Sequence, residues 1–160
     1  MKYDWEVMKL SPTEIFKGKK IFFIGGTGFV GKVTLSMLLC NFPDIGKVYA
    51  TVRARDENES RVRFWTSIVT SPTFDPLREK YGDGFEAFIK SKVVPVNGDV
   101  GNEFLGFDEK EAKKIMKDTD IIMNGAGNVT FNPPLESALR TNVVGSNNII
   151  KMARMMKKPR

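Results

Sequence analysis

Apolar and polar positions along this chain alternate between a strand period and a helix period. Lys20 to Ile24 holds the unbroken apolar run Ile21-Phe22-Phe23-Ile24, which has strand length, and after a glycine turn a helical pattern runs from Phe29 to Asn41. Pro43-Asp44 breaks that helix, and Lys47 to Arg53, with Val48, Tyr49, Thr51 and Val52, predicts a second strand. Glu57 to Thr70 predicts a helix with Val62, Trp65, Thr66 and Val69 on one core-facing side. Ser71-Pro72 ends it. Phe74 to Lys90, interrupted by Pro76 and Gly82-Asp83-Gly84, predicts an irregular or short-helical insertion. Then come a third strand at Lys92 to Val96, a helix at Asp108 to Lys117 and a fourth strand at Thr119 to Met123. A long helix is predicted from Pro134 to about Met156, with Pro134 suited to its first turn. Strands alternating with helices predict an α/β fold, a parallel sheet covered on both faces. Right-handed crossovers order its strands 3-2-1-4. A complete doubly wound sheet continues beyond the fourth strand, so the pattern predicts a truncated one. Residues 1–19 read as a lead segment and residues 20–160 as part of one domain.

Composition narrows the chemistry. Of 160 residues, 41% are apolar and 28% charged, the balance of a globular domain. No apolar run approaches the roughly 18 residues that cross a bilayer, so no transmembrane segment is expected. Met1 to Lys20 carries charges throughout and lacks an apolar signal segment, which predicts a cytoplasmic protein. There is no histidine and one cysteine, Cys40. That removes His-based triads, His bases, zinc sites and internal disulfides together. Cys40 falls late in an apolar helix and reads as a packed small residue. The net charge of +6 is spread along the chain without an aromatic-interleaved nucleic-acid motif. The dense basic cluster Lys151, Arg154, Lys157, Lys158 and Arg160 reads as cations at a helix C-terminus rather than a nucleic-acid patch.

The most specific feature is the turn Gly25-Gly26-Thr27-Gly28-Phe29-Val30-Gly31 between the first strand and its helix. Gly25 permits the tight turn, Gly28 lets backbone approach a pyrophosphate, and Gly31 lets the helix pack close on the strand. Phosphates would then sit on free N–H groups at the helix start. Gly25, Thr27, Gly28, Phe29, Val30 and Gly31 are therefore candidate dinucleotide-binding residues of a Rossmann-type sheet. The spacing is G-x-x-G-x-x-G, the short-chain dehydrogenase form.

The end of the second strand speaks to which dinucleotide. An acid there would hold a ribose 2′-hydroxyl, but the chain reads Thr51-Val52-Arg53-Ala54-Arg55 before its first acid, Asp56. Arg53, with Arg63 folding back from the next helix, suits a 2′-phosphate, and NADPH is the expected cofactor. After the third strand, Asp99 and Val100 form a turn whose carboxylate can accept from an adenine amino group. After the fourth, Asn124, Gly125 and Ala126 bring small residues near the cofactor ribose.

These segments together resemble the NAD(P)-binding domain of fatty acyl-CoA reductases, the male-sterility or thioester-reductase-like group of extended short-chain dehydrogenases. The resemblance rests on Gly25 to Lys32, Val52-Arg53, Ser71 to Asp75, Val94 to Val100, Asp120 to Phe131, Pro134-Leu135 and Thr141 to Gly145. It spans about Phe16 to Met156. The turn at Asn124 to Gly127 departs from the family's usual form.

The resemblance implies reduction of an acyl thioester, carried by coenzyme A or a carrier protein, to an aldehyde or alcohol. It also implies that a Ser or Thr and a Tyr-x-x-x-Lys pair supply the proton chemistry. The tyrosines here are Tyr3, Tyr49 and Tyr81, and none has a lysine four positions on. No catalytic residue is therefore assigned, and the pair is expected beyond Arg160. Asn142 matches the family's helix asparagine, which supports an active-site water relay; it reads equally as a satisfied helix polar residue. A start near Met1 leans toward coenzyme A over a carrier protein. Two alternatives stay open: a nucleotide-sugar epimerase or dehydratase of the same superfamily, and a non-catalytic NADPH-sensing module. Oligomeric state is open, since a half-sheet leaves an unpaired edge.

Overall fold

A computed structural model describes residues 11–157. The first ten residues of the lead segment, and Lys158 and Arg160 of the basic cluster, lie outside the described residues. In chain order the elements are α1 (Pro12–Phe16), β1 (Lys20–Ile24), α2 (Phe29–Asn41), β2 (Lys47–Thr51), α3 (Glu57–Arg63), α4 (Asp75–Tyr81), α5 (Phe85–Lys92), β3 (Val93–Val96), α6 (Glu109–Lys117), β4 (Ile121–Asn124), α7 (Leu135–Ala138) and α8 (Gly145–Ala153). A π-helical segment, Phe64–Val69, continues α3, and another, Leu139–Val144, joins α7 to α8.

The four strands form one parallel sheet in the order β3-β2-β1-β4, as the alternation predicts. Ile21 registers with Val48 on one side and Ile121 on the other, and Thr51 with Val96. All four strands therefore end on one edge. Successive β1 side chains feed opposite faces. Ile21 and Phe23 join a core with Leu35, Leu39, Phe64, Ile68, Phe74, Leu77 and Ile89, beneath α2 to α5. Phe22 and Ile24 join a smaller core with Leu105, Phe107, Ala112, Met116 and Met152, beneath α6 and α8. Cys40 is half-buried and packs against the larger core.

Two expectations need correction. The helix after β2 does not bury Val62 and Thr66; Val62 is 52% exposed, while Phe64, Ile68 and Val69 are buried. Ser60, Phe64 and Ile68, four residues apart, form the buried stripe, so the helix turns a different side to the sheet. Residues 74–90 take the short-helical form of the two expected: α4 and α5 supply Leu77, Phe85 and Ile89 to the core. The second correction lies at the chain's far end. The long final helix starts at Leu135, with Pro134 as the residue before it, and ends at Ala153.

Strand ends differ by one or two residues. Lys92 closes α5 instead of opening β3. Thr119 closes the turn after α6, its hydroxyl donating to the Ile115 carbonyl at 2.9 Å, so β4 starts at Ile121. Asp56 and Asp108 accept from the backbone of Glu59 and Glu111 and cap α3 and α6.

The Ser71-Pro72-Thr73-Phe74-Asp75 element has a structural reason. Phe74 is fully buried, and the Ser36 hydroxyl of α2 donates to the Thr73 carbonyl at 2.5 Å. Asp75 holds Arg78, whose guanidinium donates to the carbonyls of Val69 (2.7 Å) and Ser71 (3.0 Å) and so closes the π-helical end.

Candidate functional site

A cleft opens where the sheet's strands end. Its lining comes from every strand-end loop: Ile24, Gly25, Thr27 and Gly28 after β1, Thr51 and Arg53 after β2, Gly98, Asp99 and Val100 after β3, and Gly125 to Gly127 after β4. Arg63 and Thr141 complete it. The carboxyl edge is where open α/β sheets bind ligands.

The glycines of the β1–α2 turn have different jobs. Gly25 has φ +88°, and a Cβ there would meet the backbone of Gly125 and Ala126 at 2.5 Å. The β1 and β4 turns thus touch backbone to backbone, which explains why both are built from small residues. A Cβ on Gly31 would meet the Gly25 carbonyl oxygen at 2.0 Å. Gly28 is unlike either. Its φ is −74°, and its nearest neighbour to a Cβ is the Gly25 oxygen at 3.6 Å. Neither packing nor backbone conformation demands glycine there. Gly28 is the N-cap of α2 and offers no side chain to the first-turn amides, and no acid lies in that turn. Those amides lack helical partners and sit at the positive end of the dipole. This cradle fits an anionic pyrophosphate.

The structure brings together Gly25, Thr27, Gly28, Arg53, Arg63, Asp99, Val100, Gly125 and Ala126 of the expected set. It does not bring Phe29, Val30, Gly31 or Asn124 to the lining. Phe29 and Val30 are 78% and 68% exposed on the first turn of α2. Gly31 lies beneath the turn, and the Asn124 side chain accepts from the Ala126 amide at 3.0 Å to hold its own loop.

Around Arg53 the charges are sorted. Arg55 is drawn away by Glu59, which accepts from its backbone amide at 2.8 Å and its Nε at 3.0 Å. These contacts hold the Glu59 carboxyl below its ordinary pKa, the backbone amide contributing most. Arg63 donates to the Arg53 carbonyl, as folding back requires. Arg53 itself is 72% exposed along its side chain, with Asp99 3.9 Å away.

Asp99 is committed locally: Oδ1 accepts from the Gly101 amide at 2.9 Å, and Oδ2 pairs with Arg140 at 3.1 Å. Sequence reasoning missed Arg140, and with it Asn148, whose buried amide donates to the carbonyls of Val100 and Asn102, both at 2.9 Å. It also assigned no role to Thr51, Gly98 or Thr141. The signal for Thr141 was present in the Thr141 to Gly145 match; the others show only once the loops are placed.

Asn142 bonds one neighbour through both ends of its side-chain amide. Its Oδ1 accepts from the Asn128 amide at 2.7 Å, and its Nδ2 donates to the Asn128 carbonyl at 3.0 Å. It thereby fixes the loop after β4. Tyr49, in mid-sheet, donates its hydroxyl to Asp118 at 2.5 Å. Burial first, then the Asp118 hydrogen bond and charge, push its pKa up to about 12. Asp118 is lowered, chiefly by Lys20 and then by Tyr49. No helix among the described residues is long and apolar enough to cross a membrane.

Comparison with known proteins gives the site a context. A family model described as male sterility protein, an NAD-binding domain, matches residues 24–160. Fatty acyl-CoA reductase 2, chloroplastic, of Arabidopsis thaliana is 32% identical over 142 residues, 89% of this chain and 23% of its own length. Fatty acyl-CoA reductase 1 of Mus musculus is 32% identical over 148 residues, 92% of this chain and 28% of its own. The chain thus spans about a quarter of the length of these curated relatives. Among solved structures, the terminal R domain from the myxalamid PKS-NRPS biosynthetic pathway superposes with a TM-score of 0.69 at 29% identity, covering 88% of this chain and 33% of that one. The reductase domain of a nonribosomal peptide synthetase from Mycobacterium tuberculosis shares the fold, with a TM-score of 0.68 at 22% identity, over 90% of this chain and 32% of that one. With the family model matched over nearly all of its described length, the chain belongs to the male sterility protein family of NAD-binding domains.

Proposed function

We propose that the cleft holds NADPH, and that this chain is the cofactor-binding portion of a fatty acyl-CoA or related acyl-thioester reductase. Gly28 carries the reading: it is a glycine the fold does not require, at a helix start open to the cleft. The α2 amides would receive the pyrophosphate, and Arg53 with Arg63 would receive the 2′-phosphate. Gly125 and Ala126 would let the nicotinamide ribose pass close to β4. Bound NADPH supplies hydride for reduction of a thioester carbonyl. The chain's own residues bind and orient it: Asn142 fixes the β4 loop, and Asp99 with Asn148 fixes the β3 loop. The names of the similar proteins support an acyl thioester as substrate, on coenzyme A or on a carrier protein.

Calorimetric titration tests the cofactor. NADPH should bind more tightly than NADH, by the roughly 10- to 100-fold that about 1.5–3 kcal/mol of charged hydrogen bonding represents. Arg53→Ala should erase most of that difference. Equal affinity for both cofactors in the unmutated protein overturns the assignment. Assays of the full-length protein with acyl-coenzyme A and with acyl carrier protein then separate the two thioester sources.

A further inference from the structure

We propose that Arg140 sets the cofactor preference of the cleft by occupying the Asp99 carboxylate, which leaves Arg53 free for a 2′-phosphate. The proposal rests on the reading that Arg53 meets the 2′-phosphate of NADPH, and it adds a residue that does not line the cleft.

Asp99 Oδ2 lies between two guanidinium groups, 3.1 Å from Arg140 and 3.9 Å from Arg53. The asymmetry matters because both arginines compete for one acid. Arg140 is also held by the Asn102 side-chain oxygen at 2.9 Å. The loop is shaped around it: a Cβ on Gly101 would meet its guanidinium at 2.5 Å. Among the described residues Arg53 has no second anchor of this kind; its side chain is 72% exposed, against 44% for Arg140.

The π-helical segment makes the reach possible. Arg140 turns to the β3 loop, Thr141 lines the cleft, and Asn142 turns to the β4 loop. Three consecutive residues thus address the site from one wide turn, the kind of local winding that recurs at functional sites.

The electrostatic consequence follows from counting charges. Arg53, Arg63 and Asp99 line the cleft, and Arg140 stands behind Asp99. A phosphate monoester carries a charge of about −1.5 to −2 near neutral pH. With Arg140 present, the acid's charge is compensated from its far side. Without it, Asp99 becomes the partner of Arg53 alone, and the 2′-phosphate must displace that pair and face the bare carboxylate. NADH has no 2′-phosphate, so its affinity does not depend on this competition.

The test measures the ratio of NADH to NADPH dissociation constants, by calorimetry, in the unmutated protein and five variants. Arg140→Gln keeps a donor for Asn102 and removes the charge; it should lower the ratio roughly fivefold, the scale of a partly exposed ion pair. Asp99→Asn keeps the Oδ1 that accepts from Gly101 and should raise the ratio. The double variant should return to the unmutated ratio or above it, because the competitor is gone. Arg140→Lys should hold the ratio near the unmutated value, which separates charge from a folding defect. An unchanged ratio in Arg140→Gln overturns the proposal. So does a double variant as low as Arg140→Gln alone, which would mean that Arg140 acts on the phosphate directly. The underlying reading fails differently: Arg53→Ala, the fifth variant, would keep the unmutated ratio, and this proposal would fall with it.

Discussion

A methyl group at residue 31 would sit 2.0 Å from the Gly25 carbonyl oxygen, whereas one at residue 28 would sit 3.6 Å from it. The same substitution therefore has opposite readouts three residues apart. Gly31→Ala forces α2 off β1 and should cost about 1–3 kcal/mol of stability, the scale of overpacking. Gly28→Ala should leave the urea midpoint nearly unchanged. Gly28→Val should likewise fold yet lose cofactor affinity, because its branches enter the space a pyrophosphate needs. Urea unfolding and NADPH calorimetry on the same samples check the pair. Normal affinity in a folded Gly28→Val protein would mean that the glycine turn is only structural. The roles of Gly25 and Gly31 were legible in the sequence because their spacing after an apolar strand encodes backbone geometry. Arg140 was not. Its partner lies 41 residues away, and a charged residue in a helix gives no local sign of which loop it will reach.

The strands and helices themselves were readable to within a residue or two, because β1 to β4 are short apolar runs separated by capped helices. Where the reading failed, the choice of helix face was the cause. Helical spacing after β2 allows two stripes, one through Val62 and Thr66, the other through Ser60, Phe64 and Ile68. The structure buries the second and leaves Val62 half exposed. Nothing local announces the π turn from Phe64 to Val69, or that Arg78 will satisfy the carbonyls at its end. Substitution distinguishes the two phases. Phe64→Ala should cost about 3–5 kcal/mol, the loss for a buried aromatic, while an exposed Val62→Ala should stay within about 0.5 kcal/mol. Chemical denaturation of both variants checks this, and a costly Val62→Ala would mean that the Val62 face is the buried one. For residues 74–90 the sequence leaves irregular and short-helical forms open. Pro76 and the Gly82-Asp83-Gly84 turn break the segment into pieces too short to show a period, and the short-helical form holds because Pro76 occupies the first turn of α4.

At the scale of the whole molecule, the described residues gather the loops of the sheet's carboxyl edge around a cleft and place no evident proton donor there. A hydride arriving at a thioester carbonyl builds negative charge on oxygen, and a donor in fixed geometry must meet that charge. Among the described residues, Tyr49 is the wrong donor: it lies in mid-strand, bonded to Asp118, with a pKa pushed up to about 12 rather than down. Tyr81 is stacked on Phe88 with ring centroids 3.9 Å apart, on the helical layer that covers the larger core. Tyr3 lies outside the described residues and has no lysine four positions on. Thr130 sits in the loop after β4, where its amide is held by Asn128, but a hydroxyl with no lysine beside it donates poorly. Substrate would also find little to hold it. Val129 and Phe131 are 91% and 99% exposed in that loop, with Leu135 at 74%, so an acyl chain beside it would meet little cover to position it. The purified 160-residue chain should therefore bind NADPH and show no rise in its oxidation when a long-chain acyl-coenzyme A is added. Nicotinamide absorbance follows this directly, with calorimetry on the same preparation to show that cofactor is bound. Substrate-dependent oxidation that persists through further purification, and vanishes in Gly28→Val, would place proton-donating chemistry on residues of this chain.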